Sequence, residues 1–462
     1  MDNDTRDVDT SSTGKKYNIP AKVMRYFLLK PRLQHVFMCK EYAELMTWHV
    51  VGCIKDGKLR HSADAEAWKS LSARYPDFAV ENRNVRLGLA ADAFSPYRTM
   101  GLTHSTWLVI LVNYNLPPWL IIKPENIILS TLILGPVYPG NEIDVYMQPL
   151  VFELKVLWDM GIETYDSFSD ETFTLRASLL WTISDFPGYA VLSGYNTKGK
   201  LGCPNCHYCT SSTYLKHSRK VCYINHRKFL PPDHKLRFDK RRFNGQIETE
   251  FCPPLLTGAE IEELLREYKN NFWKQMNQKK TSDCPWKKKS IFFKLPYWSG
   301  HLIRHNLDVI NIEKNAGFIF RGICGKVIDL EDVPSLQVEI IEILCQYEII
   351  FPPAFFDIMV HLPIHLYKEV ELGGPSYVRN KSKPEGCIAE GYLVEECLSF
   401  CSRFLSDERE TKHNKVKENL GYPIGSRRNK DGKVVRLGEK LWNDAHRYIL
   451  FNCGDMDVEK LI

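Results

Sequence analysis

Residues 85–92 read Val-Arg-Leu-Gly-Leu-Ala-Ala-Asp, a short apolar run that ends at an aspartate. Two more apolar runs follow at residues 107–114 and 127–134, and the turn sequences Asn-Leu-Pro-Pro and Gly-Pro close them. Runs of this length, separated by turn residues, predict three strands. Apolar residues at helical spacing over 145–158 predict a helix, and residues 172–183 predict a fourth strand. The order β-β-β-α-β predicts an α/β (α+β) core.

An aspartate follows the first and the fourth predicted strands, at Asp92 and Asp185. Aspartates at strand ends of one sheet can converge on a single site. Cleavage of phosphodiesters uses two divalent ions about 3.5–4 Å apart that carboxylates hold, and magnesium suits such ligands because it prefers oxygen and keeps several waters. Aspartate after a strand is also common turn chemistry. The same pattern leaves Asp144, Asp166 and Asp170 as further candidates.

Residues 199–250 are rich in cysteine, histidine, lysine and arginine and contain a second group of candidate ligands. The spacing Cys-x2-Cys-x15-Cys-x3-His is formed by Cys203, Cys206, Cys222 and His226. Zinc favours four tetrahedral thiolate and imidazole ligands, and short loops let each pair of ligands reach one ion. The spacing therefore predicts a structural zinc that folds a small polar insertion. His207 and Cys209 are alternative ligands, and unligated thiols in a polar loop are the simpler alternative.

The net charge of +5 is small for 462 residues, but the basic residues are clustered. The basic runs are Lys235–Arg242, Lys279–Lys289 and Lys412–Lys440. Such runs can meet the phosphates of DNA, although a solvated loop or tail is the better explanation of any single run. Within the Cys/His-rich segment, the residues expected to contact phosphates are Lys216, Arg219, Lys220, Arg227 and Lys228.

The chain lacks the signals of export. Residues 1–16 are polar and acidic, unlike a signal peptide. The apolar stretch Trp107–Ile122 is interrupted by asparagines and prolines, so no membrane span is expected. The 14 cysteines are therefore expected to be free thiols or metal ligands of an intracellular protein.

The predicted domain organisation has seven parts. They are a disordered tail (1–16), an N-terminal helical region (17–83), the first part of the core (84–198), a zinc-binding insertion with a basic linker (199–290), a helical remainder of the core (291–330), a helical accessory region (331–405) and a charged tail (406–462). Helical periodicity is found over 291–318, 338–365 and 388–405.

Eight motifs resemble, in family order, the transposase of plant CACTA (En/Spm) transposons. They are NVRLGLAADAF (84–94), STWLVILVNYNLPPWL (105–120), GPVYPGNEIDVYMQPL (135–150), LRASLLWTISDFPGYAVLSG (175–194), KGKLGCPNC (198–206), RKVCYINHRKFLPPDH (219–234), WKKKSIFFKLPYW (286–298) and RHNLDVINIEKN (304–315). The resemblance runs from about Tyr17 to Leu405. It implies a DDE-type recombinase with a ribonuclease-H-like core, in which Asp92 and Asp185 are the first two acidic residues and bind Mg²⁺ or Mn²⁺. It also implies a nuclear protein that binds the DNA of transposon ends, and it allows a homo-oligomer.

Three departures from the family pattern imply an internally truncated, catalytically inactive chain. Asn311 replaces the histidine of the family's Asp-x-x-His motif, which begins here at Asp308. The Gly-Pro-Ser of residues 374–376 runs directly into Tyr377, so the segment expected to supply the third carboxylate, a glutamate, is missing. Residues 324–334 join two motifs that the family separates by a longer stretch.

Three glutamates lie near the junction that lacks this segment: Glu369, Glu371 and Glu385. Any of them could stand in for the third carboxylate, but no pattern favours one. The alternative to an inactive DDE transposase is a non-catalytic, zinc-containing DNA- or protein-binding module adopted from a transposase. A third reading is the product of a decaying element with no selected role.

Overall fold

The computed structural model describes residues 23–94, 106–135, 138–268, 270, 284–308 and 327–374, with the backbone of residues 5–6 and 19–20. Outside these residues lie the rest of the predicted tail at 1–16, the predicted helix at 388–405, the tail at 406–462 with its basic run, Asn311, Glu385 and the junction at 375–377.

The described elements alternate between short strands and helices along the chain. The strands are β1 (Met24–Tyr26), β2 (Lys58–Leu59), β3 (Val85–Phe94), β4 (Thr106–Asn113), β5 (Ile127–Ile133), β6 (Ile162–Asp166), β7 (Glu171–Leu175), β8 (Ala177–Ser184), β9 (Ser212–Leu215), β10 (Lys220–Tyr223), β11 (His305–Leu307) and β12 (Ile328–Asp329). The helices are α1 (Leu29–Met38), α2 (Lys40–Leu45), α3 (Trp48–Val51), α4 (Glu66–Arg74), α5 (Pro76–Ala79), α6 (Pro118–Ile121), α7 (Ile143–Tyr146), α8 (Gln148–Asp159), α9 (Phe186–Ser193), α10 (Lys235–Phe238), α11 (Gly258–Leu264), α12 (Val333–Ile350), α13 (Ile358–His361) and α14 (Pro363–Gly373). Among the described residues, no helix combines the length and the apolar character needed to cross a membrane.

A mixed six-stranded sheet lies at the centre, in the order β11-β8-β3-β4-β5-β1. Strands β3, β4, β5 and β1 pair antiparallel, whereas β8 is parallel to β3 and β11 is parallel to β8. All residues of β4 and β5 are buried, as expected for a sheet that is covered on both faces. Leu87 and Leu89 of β3 join the main core with residues of α1 and α8, and Ala90 joins a smaller cluster on the other side. The fold is of the α/β (α+β) class, as predicted.

The predicted strands are formed, with two differences. Asp92 lies inside β3, where it pairs with Leu108 of β4, and does not lie past the strand end. The predicted fourth strand is divided into β7, which forms a separate hairpin with β6, and β8. The division has a physical basis: only alternate residues at the end of β7 are buried, whereas nearly every residue of β8 is buried between layers.

Residues 23–83 are mainly helical, but they also supply two strands. β1 extends the edge of the central sheet by pairing with β5, and β2 pairs with β12. The carboxylate of Glu153 on α8 fixes the connection between β1 and α1, because it accepts hydrogen bonds from the Tyr26 hydroxyl and from the Leu29 amide, the latter at 2.8 Å. The N-terminal region is therefore built onto the sheet.

The helix predicted over 291–318 is not formed in its described part. Residues 291–308 contain two 3₁₀ turns and strand β11. Pro296 is incompatible with the interior of a helix, and Phe292, Tyr297 and Trp298 are all at most 1% exposed. These aromatic side chains are buried in the core although the backbone that carries them is irregular. Their spacing therefore resembles that of a helix where no helix is formed.

The insertion after α9 and the helices α12–α14 share a second hydrophobic core. Leu230 and Leu236 of the insertion pack there with Leu344 of α12 and Leu366 of α14, and Cys203 and Cys206 belong to the same cluster. The insertion and the C-terminal helical region are therefore parts of one packed unit, although the sequence placed them in separate domains.

A buried ion pair fixes the segment that follows the insertion. Lys288 donates to Asp144 of α7, and both side chains are at most 4% exposed. Lys288 Nζ also lies 3.3 Å from the Asn141 carbonyl oxygen. Burial raises the pKa of Asp144 and lowers the pKa of Lys288, so both shifts reflect the cost of removing the charges from water. The pair compensates this cost only while both partners are present.

We expect Lys288→Met to lower the free energy of unfolding by about 3–5 kcal/mol, because it leaves the Asp144 carboxylate buried without its partner. Lys289 offers a matched control: it pairs with Glu262 at 3.2 Å at the surface, and Lys289→Met should cost less than about 1 kcal/mol. Urea unfolding of the full chain measures both. Equal losses in the two variants would show that the Lys288 pair has no special role.

Candidate metal centres

The register of the parallel strands brings the two predicted catalytic aspartates level with each other. In the pairing of β8 with β3, Ile183 lies opposite Ala90. Continuing that register by two residues places Asp185 level with Asp92. Neighbouring strands are about 4.8 Å apart, and residues that are level on parallel strands project to the same face. Asp92 and Asp185 therefore lie near the carboxyl ends of neighbouring parallel strands.

A third aspartate continues this row. Ser184 of β8 lies opposite Leu307 of β11, and the Asp308 amide donates to the Ser184 carbonyl at 2.9 Å. Asp308 is therefore level with Asp185 on the next parallel strand. The sequence showed Asp308 only as part of an altered motif, because the strand before it was expected to be a helix.

Asp185 has a structural role as well. It is the N-cap of α9, and its Oδ1 accepts a hydrogen bond from the Gly188 amide at 2.7 Å. A Cβ atom at position 188 would lie 2.7 Å from that oxygen, so the close approach requires glycine. Burial raises the pKa of Asp185 above its ordinary value. The capping role by itself accounts for an aspartate after β8. The second carboxylate oxygen of Asp185 is the one that a metal would use.

The other three candidate aspartates have partners elsewhere. Asp144 pairs with Lys288 as described above. Asp166 accepts from Arg83 at 3.1 Å, and Asp170 accepts from the hydroxyl of Tyr165 at 2.8 Å. These contacts stabilise the local chain, and the structure does not bring the three carboxylates into the row.

A buried Cys₂His₂ cluster joins the insertion to the C-terminal helices. Its residues are Cys203, Cys206, His361 and His365, whose ligand atoms all lie within 4.8 Å of one another. Cys203 Sγ is 3.3 Å from His365 Nε2, and Cys206 Sγ is 3.3 Å from His365 Nε2 and 3.5 Å from His361 Nε2. The two Nε2 atoms are 3.4 Å apart.

These separations match the edges of a tetrahedron around one ion. Zinc binds sulfur at about 2.3 Å and imidazole nitrogen at about 2.0–2.1 Å, so tetrahedral geometry puts sulfur and nitrogen about 3.5 Å apart and two nitrogens about 3.3 Å apart. The observed separations of 3.3–3.5 Å and 3.4 Å fit both values. The donor set of two thiols and two imidazoles is one that zinc prefers.

Local structure presents each ligand pair. The Tyr195 hydroxyl donates to the Cys203 carbonyl at 2.9 Å, and the Cys206 amide lies 3.4 Å from Cys203 Sγ, which closes the Cys-x2-Cys turn. Asp357 caps α13 by accepting from the Met359 and Val360 amides at 3.0 and 3.2 Å. This cap begins the helical turn that carries His361, and α14 continues from there.

The protonation states of the cluster suit metal binding. Burial lowers the pKa of His361 to about 4, so its ring is neutral at physiological pH. Burial opposes ionisation of Cys203, but the hydrogen bond from Cys206 and the nearby histidines bring its pKa well below the ordinary value. The hydrogen bond to Cys203 raises the pKa of Cys206.

The predicted ligand set is not the one that the structure brings together. Cys222 lies on the β9–β10 hairpin, where its thiol donates to the Thr213 carbonyl at 3.2 Å. His226 lies beside the cluster, with Nε2 3.3 Å from His361 Nδ1. Of the alternatives, His207 stacks on Trp286, and Cys209 is exposed. The ligands that complete the set come from far along the chain, which local spacing could not reveal.

His361 and His365 were missed by sequence reasoning, although a signal was present. The stretch Ile-Met-Val-His-Leu-Pro-Ile-His-Leu, residues 358–366, places two histidines four residues apart. That spacing puts both side chains on one face of a helix. It is a recognised arrangement for metal ligands.

Two of the five basic residues expected to contact DNA are buried. Arg227 and Lys228 are each 2% exposed. Arg227 donates to Asn244 Oδ1 at 3.0 Å, and Lys228 Nζ donates to the Cys209 carbonyl at 2.7 Å. They hold the insertion together, so the expectation for these two is corrected. Lys216 and Arg219, at the tip of the β9–β10 hairpin, are exposed, and Lys220 donates to the Ala354 carbonyl at 2.9 Å.

We expect Asp185→Ala to lower the free energy of unfolding by about 1 kcal/mol, because it removes the N-cap of α9. Asp185→Asn keeps a capping oxygen and should change the free energy by only a few tenths of a kcal/mol. Thermal and urea unfolding followed by circular dichroism compares the two variants. A loss in Asp185→Asn as large as that in Asp185→Ala would contradict the capping role.

Comparisons with known proteins divide the chain into two matched parts. Residues 56–268 match the transposase family tnp2. Residues 323–376 and 376–420 match a domain of unknown function, DUF4218. No curated protein matches the chain. The tnp2 match includes Asp92, Asp185 and both cluster cysteines, whereas the DUF4218 match includes both cluster histidines. These matches support a transposase-related protein.

Proposed function

We propose that the chain is a DNA-binding protein derived from a DDE-type transposase of the CACTA kind. The observation that supports the proposal is the parallel register of β8 with β3, which, continued by two residues, sets Asp185 level with Asp92, inside the residues that match a transposase family. A sheet edge that presents paired carboxylates is what metal-dependent cleavage of phosphodiesters requires.

The strand order supports a ribonuclease-H-like core. Three consecutive antiparallel strands, β3, β4 and β5, occupy one side of the sheet, and β8 and β11 add in parallel on the other side of β3. This arrangement places the ends of β3, β8 and β11 together, which is where the aspartates lie. One fold can carry many unrelated activities, so the residues at these strand ends say more about function than the topology does.

The residues present fit a magnesium or manganese ion, since Asp92 and Asp185 would offer it hard oxygen ligands. Such an ion, when bound, polarises the phosphate and activates the attacking oxygen. Asp185 is oriented for this by the capping bond to Gly188, which holds one oxygen and fixes the direction of the other. The proposed partner is the DNA of transposon ends, and the proposed location is the nucleus, where that DNA lies.

We further propose that cleavage is lost because the third carboxylate is missing. The DUF4218 match is divided into two segments that meet at Ser376, the place where the sequence lacks the glutamate segment. The two nearby glutamates that the structure describes have other contacts. Glu369 accepts from the Leu307 amide at 3.1 Å, and burial raises its pKa to about 7; Glu371 pairs at the surface with Lys368 at 2.8 Å.

We also propose that the Cys₂His₂ cluster holds a structural zinc. The distances and the donor set fit zinc, as shown above. The ion would connect the insertion to α13 and α14, and so would stabilise the second core. A zinc-containing DNA- or protein-binding module adopted from a transposase is the alternative function. This alternative is favoured because the Cys₂His₂ cluster is complete whereas the catalytic carboxylate set lacks its third member. Intact terminal repeats beginning CACTA around the gene would argue against this alternative.

We expect the purified full chain to contain about one zinc ion. Cys203→Ser and His361→Ala should each lose it, because three ligands hold the ion much more weakly than four. Cys222→Ser should retain it and is the matched control. Elemental analysis after dialysis measures the zinc content. Zinc that persists in Cys203→Ser, or that disappears in Cys222→Ser, would contradict this ligand set.

We expect the full chain to bind duplex DNA with transposon ends but to cleave no strand of it in Mg²⁺ or Mn²⁺. Loss of one carboxylate removes several kcal/mol of transition-state stabilisation. Gel assays on labelled duplexes measure cleavage, with Asp92→Ala as the reference.

Cleavage that disappears in Asp92→Ala would overturn the proposed inactivity. The variant Asp308→Asn then identifies its cause: if it also abolishes cleavage, Asp308 supplies the third carboxylate. A failure to bind duplex DNA at low salt would instead contradict the proposed DNA partner.

A further inference from the structure

His226, first considered as a zinc ligand, lies immediately behind one. Its side chain is fully buried. His226 Nε2 lies 3.3 Å from Nδ1 of His361, on the side of the His361 ring opposite the nitrogen that faces the cysteines. His226 Nδ1 lies 2.5 Å from Oε1 of Glu348 on α12, and the His226 amide donates to the same oxygen at 3.0 Å.

We propose that Glu348 and His226 are positioning residues that orient His361 for zinc. The inference rests on the zinc centre proposed above. Glu348 accepts a hydrogen bond from the Nδ1–H group of His226, and Nε2 of His226 accepts one from the Nδ1–H group of His361. Ligating histidines usually donate their second ring N–H to a carboxylate or carbonyl, which fixes the tautomer and the ring plane. Here a histidine stands between the ligand and the carboxylate.

Only one assignment of donors and acceptors to the hydrogen bonds that join Glu348, His226 and His361 leaves His361 able to bind metal. A carboxylate only accepts, so Nδ1 of His226 carries hydrogen and donates to Glu348. In neutral His226, Nε2 is then an acceptor, and Nδ1 of His361 donates to it. The proton of neutral His361 is therefore on Nδ1, and the lone pair of Nε2 faces Cys206.

The residues packed around His361 and Glu348 help to hold these hydrogen bonds in place. The His361 ring lies nearly parallel to Tyr223, with centroids 5.9 Å apart, and Phe229 meets it edge-on at 5.9 Å. Glu348 is 10% exposed at its side chain, so little water competes for the hydrogen bond. Although burial raises the pKa of Glu348, the hydrogen bond from His226 brings it below the ordinary value.

The same helix offers a matched control. Glu342 of α12 pairs with His234 at 2.7 Å, with side chains 39% and 15% exposed. This pair has the same chemistry and lies on the same helix as Glu348. It makes no contact with the Cys₂His₂ cluster among the described interactions. A histidine–glutamate pair that merely stabilises α12 against the insertion would behave alike in both places.

The test is the affinity of the full chain for zinc and for cobalt(II), measured by competition with a chelator. We expect His226→Phe to weaken both about 10–100-fold, because His361 loses its acceptor. His226→Gln keeps an acceptor at the position of Nε2 and should recover most of the affinity. His234→Phe should stay within about twofold of the original chain. The cobalt absorption spectrum should keep its Cys₂His₂ character in His226→Phe, since no ligand is removed.

The outcomes separate this inference from the zinc proposal. If the unaltered chain binds no zinc, the zinc centre itself is refuted. If it binds zinc through Cys203 and His361 but His226→Phe binds equally tightly, only the positioning role is refuted. A cobalt spectrum that loses a nitrogen ligand in His226→Phe would make His226 a ligand and overturn the inference. Equal weakening by His226→Phe and His234→Phe would reduce the role to stability of α12.

Discussion

The parallel pairing of β8 with β3 is the constraint on which the rest of the structure depends. Asn84 sets its starting point: the Asn84 side chain accepts from the Arg176 amide at 2.7 Å and donates to the Phe78 carbonyl at 2.8 Å. The Val85 amide then donates to the Arg176 carbonyl at 2.9 Å. A slip of one residue would turn every side chain of β8 to the other face. The hydrogen bonds of Arg176 with Asn84 and Val85 oppose that slip, and the register sets Asp185 level with Asp92.

The second organising contact is long-range. Cys203 and Cys206 lie in a tight turn of the insertion, and their histidine partners are more than 150 residues further along the chain. Sulfur and imidazole groups from two matched segments thus meet inside one hydrophobic core. Near the cluster, the buried side chains of Arg227 and Lys228 donate hydrogen bonds to carbonyl and side-chain amide oxygens of the insertion. The insertion is therefore held by its own polar contacts as well as by the second hydrophobic core.

Sequence patterns predicted the features that depend on residues close together in the sequence. The three antiparallel strands, the helix after them and the aspartate after β8 follow from apolar runs and turn residues. Features set by distant packing were out of reach. The aromatic residues Phe292, Tyr297 and Trp298 imitate helical periodicity while they anchor an irregular chain. The zinc pattern identified two cysteines but completed the set from nearby residues, because the spacing of Cys222 and His226 is ordinary for zinc. The histidine pair at 361 and 365 was visible in the sequence, but its meeting with the cysteines depends on distant packing.

The position of the proposed missing segment is compatible with loss of cleavage and retention of the fold. The central sheet, the aspartate row, and all four residues of the cluster precede Gly374. Helix α14 ends at Gly373, and Gly374 has a positive φ of 87° that terminates it. A deletion just after that turn removes no strand of the sheet and no ligand of the proposed zinc. It removes only what followed the helix, where the resemblance places the third carboxylate. On the proposed function, folding and metal binding at the cluster are therefore separable from cleavage.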